Sequence, residues 1–184
     1  MIRTCLVLAL TATSVLAAIP SVLAVEPECH ANDKYVVIGL EKSDDVGTDF
    51  LVRNKATPAM KVACKFKPAD GDFAVGGPDE PLWFEALEGD HLVLTRSTGP
   101  QGMLVVFNLA DRASVLDVDA EDVVVDPEGI NFWQPTEPGT AENCEQFAEN
   151  ETNGLGSVIQ VASRFDFATD AVTTGTETRC SVTQ

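Results

Sequence analysis

Residues 89–133 read GDHLVLTRSTGPQGMLVVFNLADRASVLDVDAEDVVVDPEGINFW, and their pattern decides the fold class. Short apolar runs alternate with turn chemistry: HLVLTR at 91–96, MLVVFN at 103–108, SVLDV at 114–118, VVV at 123–125 and INFW at 130–133. A hairpin loop containing Gly99-Pro100 and a polar turn at 109–112 separate the first three. Strands spaced about 8–12 residues apart with turn residues between them predict a mainly β fold, an antiparallel meander or sandwich. MLVVFN has almost no polar break, so both of its faces should be covered. At 114–118, Leu116 and Val118 should point inward and leave Asp117 and Asp119 outside. The whole stretch is expected to form the central sheet.

On the N-terminal side, KYVVIGL at 34–40 and DFLVR at 49–53 read as a hairpin around a polar turn. MKVACKFK at 60–67 alternates, with Met60, Val62, Cys64 and Phe66 on one face and Lys61, Lys65 and Lys67 on the other. That period of two predicts a half-buried strand with a basic outer face. Residues 68–81 hold three prolines, three glycines and four acids, so they read as a surface loop or linker. On the C-terminal side, Thr140 can cap a short helix over 141–148, with Glu142 in its first turn. Cys144, Phe147 and Ala148 would then face the sheet, and Asn153-Gly154 would end the segment. SVIQVASRFDF at 157–167 is a long strand, 169–175 a turn, and 176–182 the last strand.

The cadence VVFNLADRASVLDV at 105–118 resembles the inner strands of a β-propeller blade, without the Trp-Asp or Gly-His punctuation of the best-known repeats. A closed propeller needs at least four blades of about 40 residues. This chain is too short for that, so the resemblance implies a partial, propeller-like sheet.

Residues 1–24 have the three parts of a secretory signal peptide: Arg3, an apolar 6–19 core, and small residues before a cleavage point after Ala24. An uncleaved anchor fits less well, because Thr11, Thr13, Ser14 and Pro20 interrupt a core already short of the ~20 residues a span requires. Residues 25–184 would then be a single acidic, disulfide-stapled β domain, periplasmic or extracellular, with no membrane insertion after cleavage. It would keep 11 Lys and Arg against 29 Asp and Glu, a formal −18. Such a field repels nucleic acid and attracts cations, so the charge serves either plain solubility or a basic protein or peptide partner.

Removing Cys5 leaves Cys29, Cys64, Cys144 and Cys180, an even number in a chain read as exported, which implies two disulfides. In each interval the order is cysteine, strand, turn, strand, cysteine, which returns the ends to one place. The expected pairs are therefore Cys29–Cys64 and Cys144–Cys180. A zinc site fails on spacing, with no CxxC and only His30 and His91 as histidines.

Candidate chemistry is sparse. Asp117, Asp119, Glu121 and Asp122 are the candidate acidic binding surface. Counted from Asp117, acids occupy positions 1, 3, 5 and 12 of a calcium loop, but Asp122 stands where that loop needs glycine. No metal site and no cofactor are expected. Neither histidine sits in a nucleophile motif, and bridged cysteines leave no thiol, so no catalytic residue is assigned. Trp83, Phe84, Phe132 and Trp133 form an aromatic ligand platform or, alternatively, core packing. Asn150-Glu151-Thr152 is a glycosylation sequon in a eukaryotic host. The leading expectation is an exported, non-catalytic, inhibitor-like binding or accessory protein. The alternatives are a secreted hydrolase or metal-dependent enzyme using carboxylates, and a structural envelope component.

Overall fold

The computed structural model describes residues 25–97 and 101–183. The expected leader at 1–24, residues 98–100 of the expected hairpin loop, and residue 184 lie outside the described residues. The protein is mainly β, with three four-stranded antiparallel sheets. The first holds β1 (Glu28–Ala31), β2 (Tyr35–Glu41), β3 (Thr48–Asn54) and β4 (Phe73–Val75). The second holds β5 (Leu82–Glu88), β6 (His91–Arg96), β7 (Met103–Asn108) and β8 (Ala113–Asp119). The third holds β9 (Glu121–Asp126), β10 (Gly129–Pro138), β11 (Gly156–Asp166) and β12 (Ala171–Thr183). Within each sheet, strands adjacent in sequence are adjacent in the ladder. One four-stranded meander thus recurs three times, the blade-like cadence of 105–118 being only its middle instance.

The stretch 89–133 therefore divides between two sheets. β8 ends at Asp119 and β9 starts at Glu121, separated by Ala120 alone, which is buried and donates its N–H to the Gly102 carbonyl at 2.9 Å. A chain that changes sheet without glycine or proline leaves no turn signal, which is why the sequence reads as continuous.

The second sheet is the middle layer. On β6, Leu92 and Leu94 pack with Tyr35, Val37, Phe50 and Val52 of the first sheet. Val93 packs the opposite way, with Leu104, Val106, Ile130, Phe132 and Phe165. On β7, Val105 joins the first group while Leu104 and Val106 join the second. The unbroken MLVVFN run is covered on both faces because each face meets a different sheet. Each fully buried Leu or Val here contributes on the order of 2 kcal/mol by leaving water.

The outer face of the first sheet, Val36, Ile38 and Leu51, is covered by Val62 and Phe66 and by Cys29 of β1. Residues 60–67 are not a strand, in contrast to their alternation. β3 and β4 are ladder neighbours, so the chain between them is an excursion, and it joins no sheet. Its amides instead bond two residues back, Lys65 N–H to Ala63 O at 2.9 Å and Lys67 N–H to Lys65 O at 2.8 Å. Lys61, Lys65 and Lys67 remain exposed, as the alternation required. The expected 68–81 loop contains the short strand β4, and the expected 169–175 turn closes earlier, with β12 beginning at Ala171.

The helix α1 (Phe147–Thr152) starts later than expected. Residues 140–144 form a turn in which the Cys144 N–H reaches the Thr140 carbonyl at 3.0 Å, and Asn143 Oδ1 accepts the Thr140 N–H at 2.6 Å. Asn150, not Ala148, is the residue α1 buries. The expected end is correct: Asn153 caps the helix and Gly154 follows with φ 73°. Both disulfides join the expected pairs, with Cα–Cα separations of 5.8 Å for Cys29–Cys64 and 5.3 Å for Cys144–Cys180.

Candidate functional site

β1 is the edge of the first sheet, and its alternation determines what faces the second. Cys29 points outward into its disulfide, so Glu28 and His30, opposite Gly39 and Val37, lie on the other face, His30 partly buried and Glu28 exposed. The His30 ring lies flat on Phe84 of β5, with centroids 3.4 Å apart and planes 7° from parallel. Trp83 is half-buried beside it. Together they wall a cleft of about 320 Å³ whose rim carries Glu26, Glu28 and Glu41. Gly39 belongs to its floor, where a Cβ would stand 3.0 Å from Thr48 Cγ2 and 3.3 Å from Phe50 Cε1. Any larger residue at 39 would push these neighbours apart.

Burial holds the His30 imidazole below its ordinary pKa of 6.5, and the Glu28 carboxylate, 3.6 Å away, opposes this less strongly. The ring is therefore mostly neutral at pH 7 and stacks as an uncharged aromatic. Among the described residues no lysine or arginine pairs with Glu26, Glu28 or Glu41, whereas some acids elsewhere are matched. Arg53 holds Asp72 at 2.5 Å, Lys34 holds Asp90 at 2.5 Å, and Arg164 holds Asp126 at 2.7 Å. Aromatic faces beside unneutralised carboxylates attract a cation through both ring quadrupole and charge.

No protein-family model matches the chain, and no curated protein or solved structure matches it.

The acids singled out by sequence lie elsewhere. Asp117 and Asp119 are exposed on β8, and Asp117 accepts from Arg96 at 2.5 Å. Glu121 and Asp122 belong to the third sheet. Asp122 sits at a register shift between β9 and β10 with φ 49°, a β-bulge that turns Glu121 to the Trp133 side. There Arg179 of β12 stacks 4.5 Å over Trp133, bonds Asp122, and donates to Gln160 Oε1 at 2.7 Å and Glu121 Oε2 at 3.4 Å. Ser181 also reaches Glu121, at 3.1 Å. In a flat sheet β12 and β9 would be about 14 Å apart, so the third sheet must curl to close these contacts. Ala120 thus divides the four acids between two sheets, and three of them have arginine partners.

The aromatic platform divides as well. Phe132 is core at 2% exposure, Trp133 lies under Arg179, and only Trp83 and Phe84 reach the cleft. Sequence reading missed His30 and the three glutamates. The available signal was Glu28-Cys29-His30, where a bridged cysteine on one face of a strand sends both neighbours to the other.

Other candidates are closed. His91 is buried, with Nε2 2.7 Å from Asp170 Oδ1 and its ring stacked on Phe167. The sequon Asn150 is 5% exposed and donates Nδ2 to Ser157 Oγ at 2.9 Å, so this fold leaves no room for a glycan there. Among the described residues, no three His, Cys, Asp or Glu side chains come together to hold a metal ion.

Proposed function

We propose that this is an exported, non-catalytic binding protein that engages a basic protein or peptide, taking a lysine or arginine side chain into the His30–Phe84 cleft. The observation that carries this reading is a juxtaposition: Glu26, Glu28 and Glu41, without a lysine or arginine partner among the described residues, line one cleft with the rings of His30, Trp83 and Phe84. Two disulfides support an oxidising compartment. No helix among the described residues is long and apolar enough to cross a membrane.

The test is calorimetric titration with a short oligolysine at low and physiological salt. Replacing the cleft acids together (Glu26→Gln, Glu28→Gln, Glu41→Gln) should weaken binding about tenfold, since three part-screened charges and a cation–π contact are at stake. A charge-matched control, Asp117→Asn with Asp119→Asn and Glu149→Gln, should bind like the natural protein. If both triples lose affinity equally, the field of the whole molecule does the binding and the cleft has no special role.

A further inference from the structure

A second polar cavity, of about 310 Å³, opens where β2 begins, β3 ends and the β7–β8 turn passes. In this acidic chain its lining is cationic: Lys34, Lys55 and Arg112, with Tyr35 and Asn54 beside them. Backbone pairing holds the lysines together, the Lys55 N–H reaching the Lys34 carbonyl at 2.7 Å. Lys55 Nζ donates to the Asn32 carbonyl at 2.8 Å and Lys34 Nζ to Asp90 Oδ2 at 2.5 Å, so each ammonium keeps donors to spare.

Arg112 is the exception among the arginines in the described residues. Arg53, Arg96, Arg164 and Arg179 each pair with a carboxylate. Arg112 instead lays its guanidinium over the Phe73 ring, 4.4 Å from the centroid. Stacking fixes the plane of the fork while leaving its in-plane N–H groups unused, the arrangement that suits bidentate recognition of an oxyanion.

We propose that Lys34, Lys55 and Arg112 form a binding site for a small tetrahedral oxyanion, a phosphate or sulfate group. The charge of the whole molecule does not forbid this, because at physiological salt fields fade within about 8 Å. Of the three cations only Lys34 pairs with a carboxylate, that of Asp90, among the described residues, and Asp90 and Asp111 both act on the neighbouring Tyr35. The site lies apart from the cleft proposed above and stands or falls independently of it.

The experiment is an amide chemical-shift titration of the full folded protein with inorganic phosphate, with sulfate, and with glycerol phosphate, each against sodium chloride at matched ionic strength. Saturable shifts centred on Leu109, Ala110, Arg112, Lys34 and Lys55 are expected with the oxyanions and not with chloride. Arg112→Gln should weaken them about tenfold or more, because a charge-assisted bidentate contact is lost. Arg112→Gly, which suits the φ of 57° at this position, should do the same in a fold with no added strain. Lys61→Gln should change nothing. Tighter binding of glycerol phosphate than of inorganic phosphate would identify an ester as the source, and the reverse a free ion. Shifts that follow ionic strength alone, or that survive both Arg112 replacements, would overturn the site.

Discussion

At the scale of single residues, Asp122 shows how one backbone conformation organises a face. Its φ of 49° lies in the left-handed region, which costs an ordinary side chain about 1 kcal/mol but which aspartate tolerates better than most. The bulge it makes brings Glu121 to the Trp133 side, and its own carboxylate meets Arg179. That carboxylate is 65% exposed, so its ion pair is worth at most about 1 kcal/mol. Asp122→Ala loses the pair and gains the steric penalty, and should cost about 1–2 kcal/mol in urea denaturation. Asp122→Gly loses the pair and relieves the backbone, and should fall within about 0.5 kcal/mol of the natural protein. Equal losses for the two would mean that the pair matters and the backbone does not.

At the scale of elements, β1 is only four residues long and relies on its disulfide. Cys29–Cys64 closes the 55–72 excursion over the first sheet and sets the orientation of Glu28 and His30. Replacing both cysteines with serine should cost about 4 kcal/mol on the loop-entropy account. Hydrogen exchange should accelerate in β1 and in 60–67 before it does in β6 or β7. The same variant should lose oligolysine binding while its middle sheet stays protected, and intact protection of β1 would show that pairing with β2 suffices.

This element also marks how far the sequence could be read. Alternation at 60–67 reported one-sided burial only in part: Val62 and Phe66 pack inward and the lysines are outward, but Met60 and Cys64 of the expected inner face are exposed. It could not report whether a ladder partner existed, since that depends on which edges other strands occupy. The runs of β6 and β7 and the cysteine pairs were legible because each depends on local pattern or even spacing. The threefold recurrence of the meander was hidden because Ala120 changes sheet without a turn. The cleft was hidden because Phe84 and His30, far apart in sequence, meet only across two sheets.

At the scale of the whole molecule, a formal charge of −17 must be carried without unfolding the stack, and the ion pairs set how stability depends on pH. Hydrogen bonding by Arg53 holds Asp72 below the ordinary carboxylate range, and Lys34 does the same for Asp90. Groups lowered on folding contribute stability that is intact above their unfolded pKa, near 3.8, and lost as pH falls through the folded values. Tyr35 works in the opposite sense. Burial first, and then the Asp90 hydrogen bond and charge, push its phenol up from 10.0 to about 12. A group raised on folding contributes stability that is intact below its unfolded pKa and lost as pH rises through the folded one. Stability should therefore hold from about pH 5 to 9 and decline at both ends. Self-repulsion steepens the alkaline limb, because every further deprotonation adds to an already negative molecule. Tyr35 is the only tyrosine, so phenolate absorbance reports it alone. Its midpoint should stand near 12 in the folded protein and return to about 10 in urea. Tyr35→Phe should lose about 1 kcal/mol at pH 7 with the Asp90 hydrogen bond, and should flatten the decline between pH 10 and 12. A folded midpoint near 10, or an alkaline limb unchanged in Tyr35→Phe, would leave self-repulsion as its only cause.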